Sequence, residues 1–194
     1  MLDISLRMNS DHTSLLAGLR RADPLAFETL YEREKAALYG FLLRLARDRH
    51  VAADLFQNVW LKLARHAGRL RDDSNLRAWL YTVARREFLS FRRAQALDLS
   101  RVLVLGIESD SADSLDHDLG LMALGTAFGQ LSDADREVLL LAAAGELDAE
   151  AAAQVLGISG VAFRQRLARA RRRLAQRLSE PAHPEVPNSV KVVR

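Results

Sequence analysis

Cysteine is absent from the 194-residue chain, which excludes a disulfide framework, a thiolate zinc site and a thiol nucleophile. Proline is scarce. Of four prolines, Pro181, Pro184 and Pro187 crowd the C-terminal tail, and Pro24 follows Asp23 in a helix-starting position. The body of the chain is therefore open to long helices. Lysine is confined to Lys35, Lys62 and Lys191, against twenty-five arginines. Arginine grips phosphate bidentately and stacks on bases, which fits a nucleic-acid partner; a GC-rich genome raises Arg and Ala alike, and composition does not separate the two. No stretch approaches ~18 consecutive apolar residues, and MLDISLRMNSDH lacks the apolar core of a signal peptide. A cytoplasmic protein without membrane insertion is expected. Phosphate-cradling glycine loops and HExxH are also missing, so neither an enzyme nor a cofactor is expected.

What is present is helical texture in two blocks. Asp23-Pro24 starts a helix that carries Phe27, Leu30, Tyr31, Leu38, Phe41, Leu42 and Leu45 at helical spacing and ends near Asp48. A second helix spans about Val51 to His66, a third runs from after Ser74 to about Arg93, and a short one over Thr13–Arg21 precedes them. Connections this short predict one bundle. Residues 95–118 then break the pattern: Asp98, Glu108, Asp110, Asp113, Asp116 and Asp118 face only Arg101. This is read as a flexible acidic linker with an apolar knot at Val102–Leu105. Helical texture resumes at Leu119. Ser132 caps a helix to about Ala144, ended by Gly145, and Asp148 caps AEAAAQVL. The chain thus reads as all-α: a helical domain over 10–94, a linker over 95–118, a second helical domain over 119–179, and a disordered tail over 180–194.

The stretch GISGVAFRQRLARARRRLAQRL, residues 157–178, holds seven arginines and no acid. At about 100° per residue, Phe163, Leu167, Ala170, Leu174 and Leu178 share one arc that must pack inward. Val161, Gln165, Ala168 and Arg172 lie opposite, with Arg164 on the shoulder. A helix meant only for solvent gains from glutamates four residues away; this one has none, so its partner is expected to be a polyanion. The short helix, the glycine turn and the arginine helix together form the helix-turn-helix plan, in which the second helix enters the major groove. On Val51–His66, Ala52, Leu55, Phe56, Val59 and Leu63 form the core side, whereas Asp54, Gln57, Asn58, Leu61 and Arg65 lie opposite. The helix NLRAWLYTVARREFLSFRR interleaves aromatics with arginines. That pattern suits single-stranded DNA, yet Leu76, Leu80, Val83 and Ala84 share an arc that the aromatics equally well extend. Asp116-His117-Asp118 is better explained as polar linker than as a metal site, and His12, His50, His66 and His183 lack partners at ligand spacing.

DPLAFETLY, ADLFQNVWLKL, SNLRAWLYTVARR, LSDADREVLLL and AAAQVLGISGVAFRQRLARARRRL, in this order and spacing, resemble the extracytoplasmic-function (ECF) sigma factors over about residues 20–94 and 120–179. The resemblance implies a sigma-two domain, a linker and a sigma-four domain. Its implied partners are core RNA polymerase (the β′ clamp helices and the β flap), promoter DNA and an anti-sigma factor. Asp54, Gln57, Asn58 and Leu61 would meet the clamp helices, with Asn58 standing where the family usually has Glu. The loop GRLRDDSN resembles the one that captures a flipped base of the −10 element, which nominates Leu70, Arg71, Asp73, Ser74 and Asn75. The following helix would meet the non-template strand through Arg77, Tyr81 and Arg85. Arg164, Gln165 and Ala168 match positions that read the −35 element; Arg166, Arg169, Arg171 and Arg172 suit phosphates. The alanine-rich AAAGELDAEAAAQ departs from the family, which has larger apolar residues there. The alternatives are a helix-turn-helix activator or repressor acting without core polymerase, and a helical adaptor.

Overall fold

The computed structural model describes residues 12–103, 119–144 and 147–179. Eight helices are found among them: α1 (12–20), α2 (Pro24–Ala46), α3 (Arg49–His66), α4 (Leu76–Leu103), α5 (Leu119–Gly129), α6 (Asp133–Ala143), α7 (Ala149–Leu156) and α8 (Gly160–Ser179). Their starts follow from short polar side chains that accept from otherwise orphaned backbone N–H groups. Asp23 accepts from the Leu25 N–H at 3.0 Å, with Pro24 in the first turn. Asp48 accepts from His50 and Val51 at 2.7 and 3.0 Å, and Asn75 from Ala78 at 2.9 Å. Ser132 caps α6, Asp148 caps α7, and Ser159 receives the Ala162 N–H of α8 at 3.2 Å.

Helices α1 to α4 form the first lobe. Leu30, Leu38, Leu42 and Leu45 of α2 bury against Ala52, Val59 and Leu63 of α3 and against Leu80, Ala84 and Phe88 of α4. One end is closed by aromatic edges: Trp60 meets Tyr31, Phe27 and Phe56 at centroid distances of 4.9, 5.6 and 5.9 Å. Helix α1 crosses α2 so closely that a Cβ on Gly18 would lie 2.6 Å from the Ala26 methyl. In the second lobe, α8 packs on α5, α6 and α7. Its buried stripe is anchored by Phe163 and Ala170, whereas Leu178, expected inside, is exposed because the helix has by then run past its partners.

One expectation about the elements changes. Helix α4 does not stop near Arg93 but continues to Leu103, well into the stretch assigned to the linker. Residues 92–103 contain neither glycine nor proline, and Ala94, Gln95, Ala96 and Leu97 are good helix formers. The remaining linker with its acidic residues, the N-terminal segment, Gly145 and the tail after Ser179 lie outside the described residues. The two lobes touch: α4 packs on α7 and α2 on α6, joining both cores into one apolar cluster.

Candidate nucleic-acid interface

Helices α7 and α8 are joined by Gly157-Ile158-Ser159. Gly157 takes φ +68°, a left-handed conformation that glycine adopts without strain, and its N–H closes α7 on Ala153 and Gln154. Ala151, Ala152 and Ala153 are buried, and their small side chains let the two helices cross closely. Outside the buried stripe, Arg164, Gln165, Arg166, Ala168, Arg169, Arg171 and Arg172 are all exposed. Val161, at the same end as Gln165, is also exposed. Arg173 turns back to Asp135 of α6 at 2.6 Å, so it braces the helix against its own lobe. A groove of double-stranded DNA would meet a small or polar leading end followed by a sleeve of guanidinium groups.

On α3, Asp54, Gln57, Asn58 and Leu61 lie together on the solvent face, as the periodicity predicts. Leu61 is 44% exposed. The rigid backing of Leu55, Val59 and Leu63 fixes this face without using any of its four side chains.

The loop between α3 and α4 is organised from a distance. Arg20 of α1 donates from Nε to the Leu70 carbonyl at 2.6 Å and pairs with Asp72. His12 Nε2 lies 3.0 Å from the Ser74 carbonyl oxygen. Arg71 pairs with Asp73 at 3.1 Å, and its N–H donates to the Ser74 hydroxyl at 2.9 Å. Arg20, Leu70, Arg71, Asp72 and Asp73, with Gly68 and Arg69, line an open depression of about 530 Å3. Arg20, Asp72 and His12 are absent from the sequence-derived set. Asp72 stands within the quoted loop GRLRDDSN, but nothing local marks Arg20 or His12, since their partners stand fifty or more residues away in the chain.

The residues expected at the −10 element separate into three groups. Arg71, Asp73, Ser74 and Asn75 form the loop, with Asn75 also capping α4. Leu70 and Tyr81, expected at the DNA surface, are core residues instead. Leu70 pins the loop to the bundle. Tyr81 is fully buried with its ring edge-on to Phe41 at 5.0 Å, and burial pushes its phenol up to about 12. Arg77 and Arg85 form the third group, engaged in ion pairs. Arg77 holds the buried Glu34 of α2 at 2.8 Å and donates to the Ala144 carbonyl at 3.3 Å. Arg85 donates to Glu137 of α6 at 3.1 Å. Among the aromatics of α4, Phe88 is buried and Trp79 and Phe91 are half-buried, which favours the core side of the ambiguity left by the sequence.

Residues 30–97 match the family model for Sigma-70 region 2, and residues 121–174 match that for Sigma-70, region 4. The RNA polymerase sigma factor CarQ of Myxococcus xanthus is 31% identical over 158 residues, covering 80% of this chain and 90% of its own. The ECF RNA polymerase sigma factor SigM of Bacillus subtilis is 29% identical over 153 residues, covering 77% and 93%. Among solved structures, the sigma factor RpoE from Bartonella quintana, solved in complex with the anti-sigma factor NepR, aligns with a TM-score of 0.68 at 29% identity. That match covers 78% of this chain and 96% of the other. CnrH, solved with the cytosolic domain of CnrY, aligns with a TM-score of 0.63 at 25% identity, covering 84% and 94%. Among the described residues, no helix is long and apolar enough to cross a membrane. The chain belongs to the ECF RNA polymerase sigma factors, non-enzymatic initiation factors that act with core polymerase on promoter DNA.

Proposed function

We propose that this sigma factor divides its work among three surfaces. The α3 face of Asp54, Gln57, Asn58 and Leu61 docks on the clamp helices of polymerase β′. The loop Arg71–Asn75 captures an unpaired base of the −10 element in the depression lined by Arg20 and Asp72, with Leu70 and Tyr81 supporting it from the core. Arg164, Gln165 and Ala168 read −35 base edges, while Arg166, Arg169, Arg171 and Arg172 hold phosphates. In this reading the first domain extends beyond residue 94 through α4, the linker is the stretch between α4 and α5, and the second domain covers 119–179. It acts in the cytoplasm, and an anti-sigma factor holds it inactive; the similar sigma factor RpoE was solved in complex with the anti-sigma factor NepR.

Magnitudes support joint action. Separating base pairs costs about 1.4 kcal/mol per step, and stacking a freed base returns roughly 1–3 kcal/mol. One captured base therefore holds a short bubble with little surplus. Tethering two weak DNA contacts on one polymerase raises their effective strength by about 10²–10⁴-fold.

The observation that carries the −35 assignment is the exposed, acid-free face of α8 ahead of its buried Phe163–Ala170 stripe. Its test is promoter selection by reconstituted holoenzyme. Arg164→Ala should relax preference at one −35 position, at a loss of about 1–3 kcal/mol for the preferred base. Arg171→Ala should weaken all sequences alike and lower the salt dependence by about one counterion. Identical selectivity profiles for both variants would refute the assignment.

A further inference from the structure

Arg77, Arg85 and Arg92 fall within an arc of about 80° on α4, and all three are met by the second lobe. Arg92 lies 3.5 Å from Asp133, Arg85 donates to Glu137 at 3.1 Å, and Arg77 donates to the carbonyl of Ala144 at 3.3 Å. As α4 is read backwards from 92 to 77, α6 is read forwards from 133 to 144. Helix α6 thus runs antiparallel along the arginine face. Its acidic first two turns lie under two guanidinium groups, and its carbonyl end, the negative pole of the helix, lies under the third. Arg47 of α2 adds a donation to the Gly129 carbonyl at 3.5 Å.

The pairing is uneven. Glu137 is 8% exposed at its side chain and Arg85 25%, whereas Asp133 and Arg92 are both about half exposed. Solvated rim pairs contribute little; a buried carboxylate whose counter-ion belongs to the other lobe is well placed only while the lobes touch. We propose that Glu137, assisted by Asp133, acts as an internal phosphate mimic. The pair occupies Arg85 and Arg92 of α4 in the free chain and holds the two lobes closed, so that nucleic acid must displace α6 to reach them. The proposal deepens the −10 assignment and rests on α4 meeting the displaced strand.

The absence of cysteine allows closure to be measured without background. Dyes on Ala53→Cys and Ala175→Cys, both exposed positions on α3 and α8, report lobe separation in the full chain. Binding of a labelled oligo-dT strand reports access to α4. Glu137→Gln with Asp133→Asn should lower energy transfer and tighten oligo-dT binding about tenfold, the order expected when two charge-assisted contacts are freed. Adding Arg85→Ala and Arg92→Ala should abolish that gain, because the gain belongs to the two freed arginines and not to the altered carboxylates. Unchanged transfer with unchanged binding overturns the lock. A gain that survives the loss of both arginines overturns the masking. Opened lobes with no gain in binding overturn the masking too; whether the −10 reading fails with it is decided separately by Arg85→Ala in the holoenzyme, which in that case leaves promoter melting intact. Circular dichroism of each variant guards against reading misfolding as opening.

Discussion

Arg77 bears the sharpest conflict between a binding role and a structural one, and its substitution discriminates between them. Its guanidinium meets Glu34 at 2.8–3.1 Å, with Glu34 1% and Arg77 12% exposed. Removing one member of a buried pair leaves an uncompensated charge, which costs about 3–5 kcal/mol. Arg33, half exposed and 3.4 Å from Glu34, supplies some compensation, so the lower end, about 3 kcal/mol, is expected for Arg77→Ala. In urea that loss lowers the unfolding midpoint of the full chain by roughly 1–3 M at unchanged slope. Replacing both partners, Glu34→Leu with Arg77→Met, removes the charges together and should restore stability to within about 1 kcal/mol of the parent. With the single variants Glu34→Leu and Arg77→Met, the parent and the double variant form a cycle whose coupling energy is large. An unshifted midpoint for Arg77→Ala, accompanied by a loss of promoter melting, would refute the structural assignment and return Arg77 to the DNA surface.

Three further outcomes are expected. Gly157→Ala forces a Cβ into the left-handed turn and should destabilise the chain by about 1–2 kcal/mol, read as a lower melting temperature; an unchanged one would mean that the turn is not fixed as described. Tyr81 has a folded-state value raised from 10.0 to about 12, so the unfolded chain releases the proton first. Its contribution to stability is complete below pH 10 and is lost as pH rises towards 12, on the order of 2 kcal/mol. Tyr81→Phe should blunt that alkaline loss in denaturation curves, and an identical pH profile would contradict it. Asp54→Ala with Gln57→Ala should weaken association with core polymerase in equilibrium binding while leaving the melting temperature within a degree or two, since both side chains are exposed; undiminished association would remove α3 from the docking surface.

Much of this architecture was legible in the residues. The polar caps Asp23, Ser132 and Asp148 each begin a helix where their local chemistry places it, and the α3 and α8 faces follow the apolar period because one side of each helix is packed and the other is wet. Local reasoning failed where a charge or an aromatic sits on a core arc. Glu34 stands between Leu30 and Leu38 at helical spacing, which hints at a buried pair, but its partner is 43 residues away and belongs to a helix whose rotation the sequence alone does not fix. Tyr81 and Arg85, four residues apart on α4, look alike as a stacking and phosphate-binding set; packing against Phe41 and Glu137 separates them. The packing of the lobes was hidden for the same reason. The arginines of α4 that meet α6 read equally well as waiting for DNA.

Run-off transcription with purified core polymerase on a promoter library measures the central claim most directly, namely that polymerase docking, base capture and −35 reading reside on this one chain. The account predicts discrete start sites that appear only when the chain is added and that vanish with the Asp54→Ala, Gln57→Ala variant. A start-site distribution unaffected by the chain, or preserved in that variant, would contradict it.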